Sequence, residues 1–266
     1  AGRLRKYDKI RIMTTNSDAK KRIDKLRATI RRHIYLYYSL DKIEISDEAY
    51  DSLFRELKSL EEKYPEFDSN NSPTKRVGGN PVDSFKKIRH KARQWSFDNV
   101  FSFDELKKWD ERIIKMINKE ADLKREKLEY VCELKIDGLK IILTYENGEL
   151  ISGATRGDGV IGEDVTENVR TIKSIPLVLQ EEKSFIAVGE VWLSKSELER
   201  INKERKNNNE QPFANARNAG AGTIRQLDSR IAAERKLDSF IYDIEPVLSK
   251  RGDFNVPPTQ VEELDF

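Results

Sequence analysis

Tyr130-Val-Cys-Glu-Leu-Lys-Ile-Asp-Gly138 reads as a short buried strand that delivers one lysine, Lys135, into a turn made of Ile136, Asp137 and Gly138. Strand alternation would put Val131, Glu133 and Lys135 on one face, with Tyr130, Cys132 and Leu134 on the other. A carboxylate and an amine then lie side by side on an otherwise apolar strand. A surface salt bridge on an edge strand is the commoner outcome of such a pattern. A nucleophilic lysine is the sharper one, because a free amine, with a pKa of about 10.4, attacks poorly until its surroundings make the neutral form available.

Downstream, 140–146 and 149–155 flank Asn147-Gly148, a two-residue turn that favours a tight hairpin. Arg156-Gly-Asp-Gly-Val-Ile-Gly-Glu-Asp164 follows as a glycine-rich loop. It lacks the Gly-Lys-Ser/Thr ending of a Walker loop and the spacing of a Rossmann fingerprint. Its glycines either serve tight turns or let Arg156, at the mouth, meet a nucleotide. Residues 185–193 form another strand carrying Glu190, and Ser194 with Glu197 boxes the start of a helix to about Lys206. The small-residue run 213–228 is bracketed by Arg217 and Arg225. It reads either as a helix packed closely on a sheet or as a phosphate contact by two guanidinium groups. A last strand covers 240–244.

Upstream, Ile23, Leu26, Ile30, Ile34 and Tyr37 recur at helical spacing across about 18–38, and 39–45 is a loop. A second helix starts at the cap Ser46, carries the stripe Tyr50, Leu53, Leu57 and Leu60, and ends at Pro65. Asp47 and Asp51 lie one turn apart with Tyr50 beside them. Solvated helix charge explains them; an aromatic-lined pocket with Tyr37 and Tyr38, gripping a cationic ring and ribose hydroxyls, is the alternative. A turn-rich linker, 70–81, is the best domain boundary. Ser102 with Glu105 then caps a helix whose expected buried stripe is Leu106, Trp109, Ile113 and Ile117.

Composition excludes several classes. The 266 residues are 36% charged, yet 49 Lys+Arg against 47 Asp+Glu leave a formal +2, so bulk charge announces no nucleic-acid binder. One cysteine and two histidines rule out a disulfide framework and a Cys- or His-rich metal site. No apolar run approaches a membrane span. A cytoplasmic chain with no membrane partner is expected, and 1–17 reads as a basic, extraneous tail with Met13 as a candidate original start.

Together these stretches resemble the N-terminal part of an NAD⁺-dependent DNA ligase. Lys135-Ile-Asp-Gly138 is similar to the Lys-x-Asp-Gly motif of covalent nucleotidyltransferases, which ATP-dependent ligases and capping enzymes also carry. Specificity comes from its company. Tyr35-Leu-Tyr-Tyr followed by Ser46-Asp-Glu-Ala-Tyr-Asp51 resembles the NMN-binding domain of the NAD⁺-dependent class. Ser72-Pro-Thr-Lys-Arg-Val-Gly78, Ser96-Phe-Asp-Asn-Val-Phe101, Ala154-Thr-Arg-Gly-Asp-Gly159, Gly189-Glu-Val191 and Asn215-Ala-Arg-Asn through Arg225-Gln-Leu-Asp228 follow in the family's order.

The resemblance implies an α+β fold: a helical NMN-binding domain with linker over 18–82, then a nucleotidyltransferase (ATP-grasp-like) domain with antiparallel sheets over 83–266, incomplete at its C-terminus. It implies that Lys135 attacks the α-phosphate of NAD⁺, expels NMN and holds AMP, with Mg²⁺ offsetting pyrophosphate charge. Glu133 would contact adenine; Ser96, Phe97, Asp137, Arg156 and Glu190 would line the adenosine half; and Tyr37, Tyr38, Asp47, Tyr50 and Asp51 would hold the nicotinamide half. Arg217 and Arg225 would face phosphates. A monomer acting on nicked double-stranded DNA, as part of a longer protein, is the implied partner arrangement. The chain departs from the family at Tyr38 (usually histidine), Leu134 (often proline) and Phe97 (usually leucine), and it stops before the later lysine motifs, so nick sealing by this chain alone is not expected. An ATP- or GTP-using nucleotidyltransferase and a non-catalytic NAD⁺- or DNA-binding module are the rivals.

Overall fold

Apolar side chains at helical spacing build the first two elements. The computed structural model describes residues 16–40, 42–77, 82–96, 99–121, 128–247 and 256–266; most of the expected basic tail, the end of the linker and Phe97 lie outside them. Helix α1 (Asn16–Leu40) runs two residues further than its spacing predicts, and α2 (Asp47–Lys63) starts at Ser46, whose hydroxyl accepts from Ala49 N–H at 3.3 Å. Ile23, Leu26, Ile30 and Ile34 of α1 close a small core with Leu57 of α2. A buried ion pair reinforces it: Arg27 donates to Glu61 at 2.6 and 2.8 Å and to the Phe67 carbonyl at 2.7 Å, and Thr74 also donates to Glu61.

Short 3-10 turns at Pro65–Phe67 and Pro73–Lys75 lead out of this unit. The linker is docked onto the rest of the chain. Arg76 donates to the carbonyls of Arg170, Ile172 and Ile175 at 2.9–3.1 Å, and Arg170 donates to Asn71 Oδ1 at 2.9 Å. Burial lowers the Arg76 guanidinium to about 10, still protonated at neutral pH.

The remaining elements are β1 (Lys87–Arg89), α3 (Phe103–Ala121), β2 (Leu139–Glu146), β3 (Glu149–Thr155), β4 (Ile161–Glu163), α4 (Thr166–Val169), β5 (Phe185–Leu193), α5 (Lys195–Asn207), α6 (Ala216–Ile224), α7 (Ser229–Glu234), β6 (Leu237–Pro246) and α8 (Gln260–Asp265). The chain is therefore α+β, with a helical N-terminal region and antiparallel sheets. Four strands pair in the order β3-β2-β5-β6, and β1 pairs with β4. The hairpin forms as the Asn-Gly pair predicts, with Asn147 at φ 51° and Gly148 at φ 76°. One sheet face carries Ile141, Leu143 and Tyr145 opposite Phe185 and Ala187, joined by Val169, Ile172, Ile201 and Ile224 from the covering segments. The other face carries a smaller buried cluster, Ile142, Ile186 and Val188. No helix among the described residues is long and apolar enough to cross a membrane.

Two expectations fail. Residues 130–137 form no strand and are exposed except for half-buried Ile136, so Glu133 and Lys135 share no strand face. The reason lies in the ladder: continued in the register of Leu139–Val191, residues 130–136 would face 194–200, where β5 has ended and α5 begins. The stripe of α3 is likewise not buried: Leu106 is 44% exposed and Trp109, Ile113 and Ile117 are only half-covered. Tyr130 is its neighbour, with rings 5.5 Å from Trp109 and a hydroxyl bond to Asp110.

Candidate active site

Gly138 explains how the exposed lysine segment joins the sheet. A Cβ at this position would lie 2.1 Å from the Val191 carbonyl oxygen and 2.9 Å from Cγ of Glu190, so only glycine lets the backbone enter here. The Gly138 backbone N–H lies near the Glu190 carboxylate and favours its charged form. Burial pushes the Glu190 carboxyl up, while the positive charges of Arg217 and Lys135 draw it back down. Lys135, Asp137, Gly138, Glu190 and Arg217 are thus gathered at one end of β5.

Arg217 sits in the first turn of α6, capped by Asn215, and donates to Asp137 at 2.9 Å. Arg225, at the other end of α6, pairs with Glu163 at 2.7 Å. Both arginine side chains are 54% exposed, so these pairs are weak and exchangeable for phosphate oxygens. The close-packing reading of the small-residue run also holds: Ala219 and Gly220 are buried, Gly220 against Leu193 of β5.

The sparsely packed face of the sheet adds groups that sequence reasoning missed. Lys140 stands opposite Glu190 in register and donates to the Trp95 carbonyl at 3.3 Å. Burial lowers its ammonium; Glu245 and Asp243 oppose that, and Arg156 reinforces it. Gln94, 2% exposed, donates to both oxygens of Glu245 at 3.0 and 3.2 Å. Burial raises the Glu245 carboxyl and, with help from Glu190 and Asp243, raises the Tyr242 phenol. The available signal was a lysine leading an apolar strand, five residues after Lys135, in phase with Ile142 and Thr144.

Arg156 lies beside Lys140, and its buried Nε has no hydrogen-bond partner. Its loop is folded on itself: Gly159 N–H donates to the Arg156 carbonyl at 3.0 Å, and Asp158 accepts from Val160 and Ile161 N–H at 2.8 and 2.7 Å. Gly157 needs its φ of 56°, since a Cβ would lie 1.8 Å from the Ile161 carbonyl oxygen. Glu133 is exposed and lies within electrostatic reach of Glu263 in α8. Ser96 is exposed.

A second cluster forms on the helical unit. Tyr50 is half-buried, and burial, then nearby Tyr38, raises its phenol; Arg76 lowers it and Asp51 raises it. The Tyr37 and Tyr38 rings meet edge-on at 4.7 Å, and Lys173 lies 5.4 Å from the Tyr38 ring centre. Asp47 and Asp51 are exposed. Among the described residues, no hydrogen bond or ion pair joins this cluster to Lys135, Glu190 or Arg156.

Comparison with known families decides between the readings. Residues 82–265 match the NAD-dependent DNA ligase adenylation domain, and residues 16–78 match the DNA ligase-like N-terminal NAD⁺-binding domain. The chain belongs to the NAD-dependent DNA ligase family. It is 50% identical to a DNA ligase of Thermosipho africanus over 223 residues, covering 84% of this chain and 33% of that protein. DNA ligases of a Thermoanaerobacter strain and of Caldicellulosiruptor bescii are 45% and 49% identical, over 94% and 85% of this chain and 36% and 33% of those proteins. The chain thus spans about a third of the length of the curated relatives it matches. NAD⁺, and not ATP, is the adenylate donor of this family, and the two matched domains are those that bind and use it.

Proposed function

We propose that this chain carries the self-adenylation step of a DNA ligase. Lys135 Nζ attacks the α-phosphorus of NAD⁺; a P–N bond forms, the bond from that phosphorus to the bridging oxygen breaks, and NMN leaves with the oxygen. The surplus proton of the amine passes to solvent. The observation that carries this reading is Gly138, whose close approach to Val191 sets Lys135 within the electrostatic reach of half-buried Glu190. Glu190, Lys140 and Arg156 then contact the adenosine half, with Ser96 and Phe97 at its edge, Asp137 orienting Arg217, and Glu133 approaching the adenine from the 128–137 segment. Tyr37, Tyr38, Asp47, Tyr50 and Asp51 hold the nicotinamide half, dividing the chain into an NMN-binding unit (18–82) and an adenylation unit (83–266).

Among the described residues no three His, Cys, Asp or Glu side chains converge on one point, so a Mg²⁺ ion would be held by the pyrophosphate oxygens whose charge it offsets. In the longer protein the adenylate would pass to the 5′-phosphate of a nick in double-stranded DNA, with Arg217 and Arg225 exchanging their carboxylates for phosphates. We place that protein in the cytoplasm as a monomer.

Incubation with NAD⁺ labelled in its adenylate tests the proposal. The chain should become labelled from NAD⁺ and not from ATP, and Lys135→Ala should abolish the label. Equal labelling from ATP, or label surviving Lys135→Ala, overturns it. Asp51→Ala should reduce labelling from NAD⁺; no change there would remove the helical unit from donor recognition.

A further inference from the structure

A second concave surface shares no wall with Lys135 and Glu190. It is a cavity of about 1010 Å³ between the C-terminal half of α1 and the 173–185 segment that feeds β5, a volume at the upper end for small-molecule sites. Phe185, which lines it, is five residues before Glu190 in a regular stretch of β5 and so points to the opposite sheet face. Tyr35 and Leu179 add apolar wall.

The polar side of this cavity is cationic and incompletely matched. Of its lining groups, Arg32 is paired with Glu44 at 2.5 Å and Lys183 with Glu181 at 2.9 Å. Arg31, Arg76 and Lys173 have no ion pair with an Asp or Glu side chain among the described residues, and Asp265 is the one other acidic side chain in the lining. Arg31 donates to the Asn71 carbonyl at 3.2 Å and Arg76 to three carbonyls, yet the Nε of each is buried without an acceptor. Desolvation lowers both guanidinium groups; Glu149, Asp24 and Glu61 oppose that at Arg31, and Tyr50 and Tyr145 at Arg76.

We propose that this cavity binds a small organic phosphate monoester, its phosphoryl oxygens held by Arg31, Arg76 and Lys173 and its apolar body lying against Tyr35, Leu179 and Phe185. Three cations drawn from α1, the linker and the segment before β5 suit a doubly charged group with three acceptor oxygens better than a single carboxylate. The apolar wall and the volume require a body beyond the phosphate itself. Such a ligand bridges α1 to the sheet and holds the helical unit in place. Because Lys173 also lies against Tyr38, occupation of the cavity is coupled to the proposed nicotinamide cluster. The binding proposal itself does not depend on the adenylation reading.

Calorimetric titration of the intact chain with phenyl phosphate, and in parallel with inorganic phosphate, tests it. Phenyl phosphate should bind at least tenfold more tightly than inorganic phosphate. Lys173→Glu, an exposed position whose change should leave the unliganded melting temperature unaltered, should weaken it at least tenfold, and Lys173→Gln by less. Binding should persist in Lys135→Ala, which separates this cavity from the nucleotide site. Unchanged affinity in Lys173→Glu, loss of binding in Lys135→Ala, equal affinity for inorganic phosphate, or no heat at several millimolar phenyl phosphate would each overturn the proposal.

Discussion

Among the described residues the helical unit closes on five buried apolar side chains, Ile23, Leu26, Ile30, Ile34 and Leu57, whereas one face of the sheet gathers eighteen. The smaller unit compensates with charge. Arg27 and Glu61 have side-chain exposures of 10% and 5%, and every arm of the pair is bonded to a neighbouring turn. In the larger unit the pairs on α6, Arg225–Glu163 and Arg217–Asp137, keep both arginines at the surface. A small core thus leans on a buried ion pair, while the larger core holds together without one at Arg217 or Arg225.

The sharpest way to break this contrast is Arg27→Met. It strands the Glu61 carboxylate inside the helical unit and should cost about 3–5 kcal/mol in urea unfolding. Arg225→Met, which removes an exposed partner, should cost about 0–1 kcal/mol. Equal costs for the two variants would show that the buried pair holds nothing together.

The next effect belongs to the sheet. Ile141 is 0% exposed in the centre of the eighteen-residue cluster, and Ile141→Ala should destabilise by about 2–5 kcal/mol through lost burial and a residual cavity. Ile142→Ala, one residue along on the sparsely packed face, where its cluster holds only Ile186 and Val188 as other buried members, should cost less. If Ile142→Ala proved as damaging, the two faces would not differ in the way their packing implies.

How much of this was legible beforehand follows from which interactions are local. The Asn147-Gly148 hairpin, the Ser46 and Ser194 caps and the 185–193 strand depend on neighbours in sequence, and each formed where its residues placed it. The family's motifs were equally legible, since Lys135-Ile-Asp-Gly138 and the Tyr-rich helix end are contiguous. The 130–135 strand failed because strand formation depends on a free edge, a property of β2 and its partners that no local pattern carries. The α3 stripe failed for the same kind of reason: amphipathic spacing states that a face is apolar, not that anything covers it. Lys140 and Gln94 went unnoticed because their significance comes from cross-strand register and from a loop returning over the sheet, to Glu190 and Glu245.

Glu190 offers the smallest and most discriminating effect. Burial raises its folded-state carboxyl above the unfolded value, with Arg217 and Lys135 offsetting only part of the rise. The stability contributed by such a group is complete below the unfolded value, about 4.3, and is lost as pH rises through the higher folded value. Glu190→Gln removes the titration while keeping the shape. The urea midpoint of the native chain relative to that variant should therefore fall as pH climbs from below 4 toward neutrality, in the opposite sense to Glu163→Gln. At Glu163 the bonds and charge of Arg225 hold the carboxyl below its ordinary value, so stability is present at higher pH and is lost on acidification. A flat difference for Glu190→Gln would mean that the carboxyl is solvated in the free protein. Its contact with Gly138 would then not be enough to hold it ready beside Lys135, and the ordering of that corner would have to come with the nucleotide.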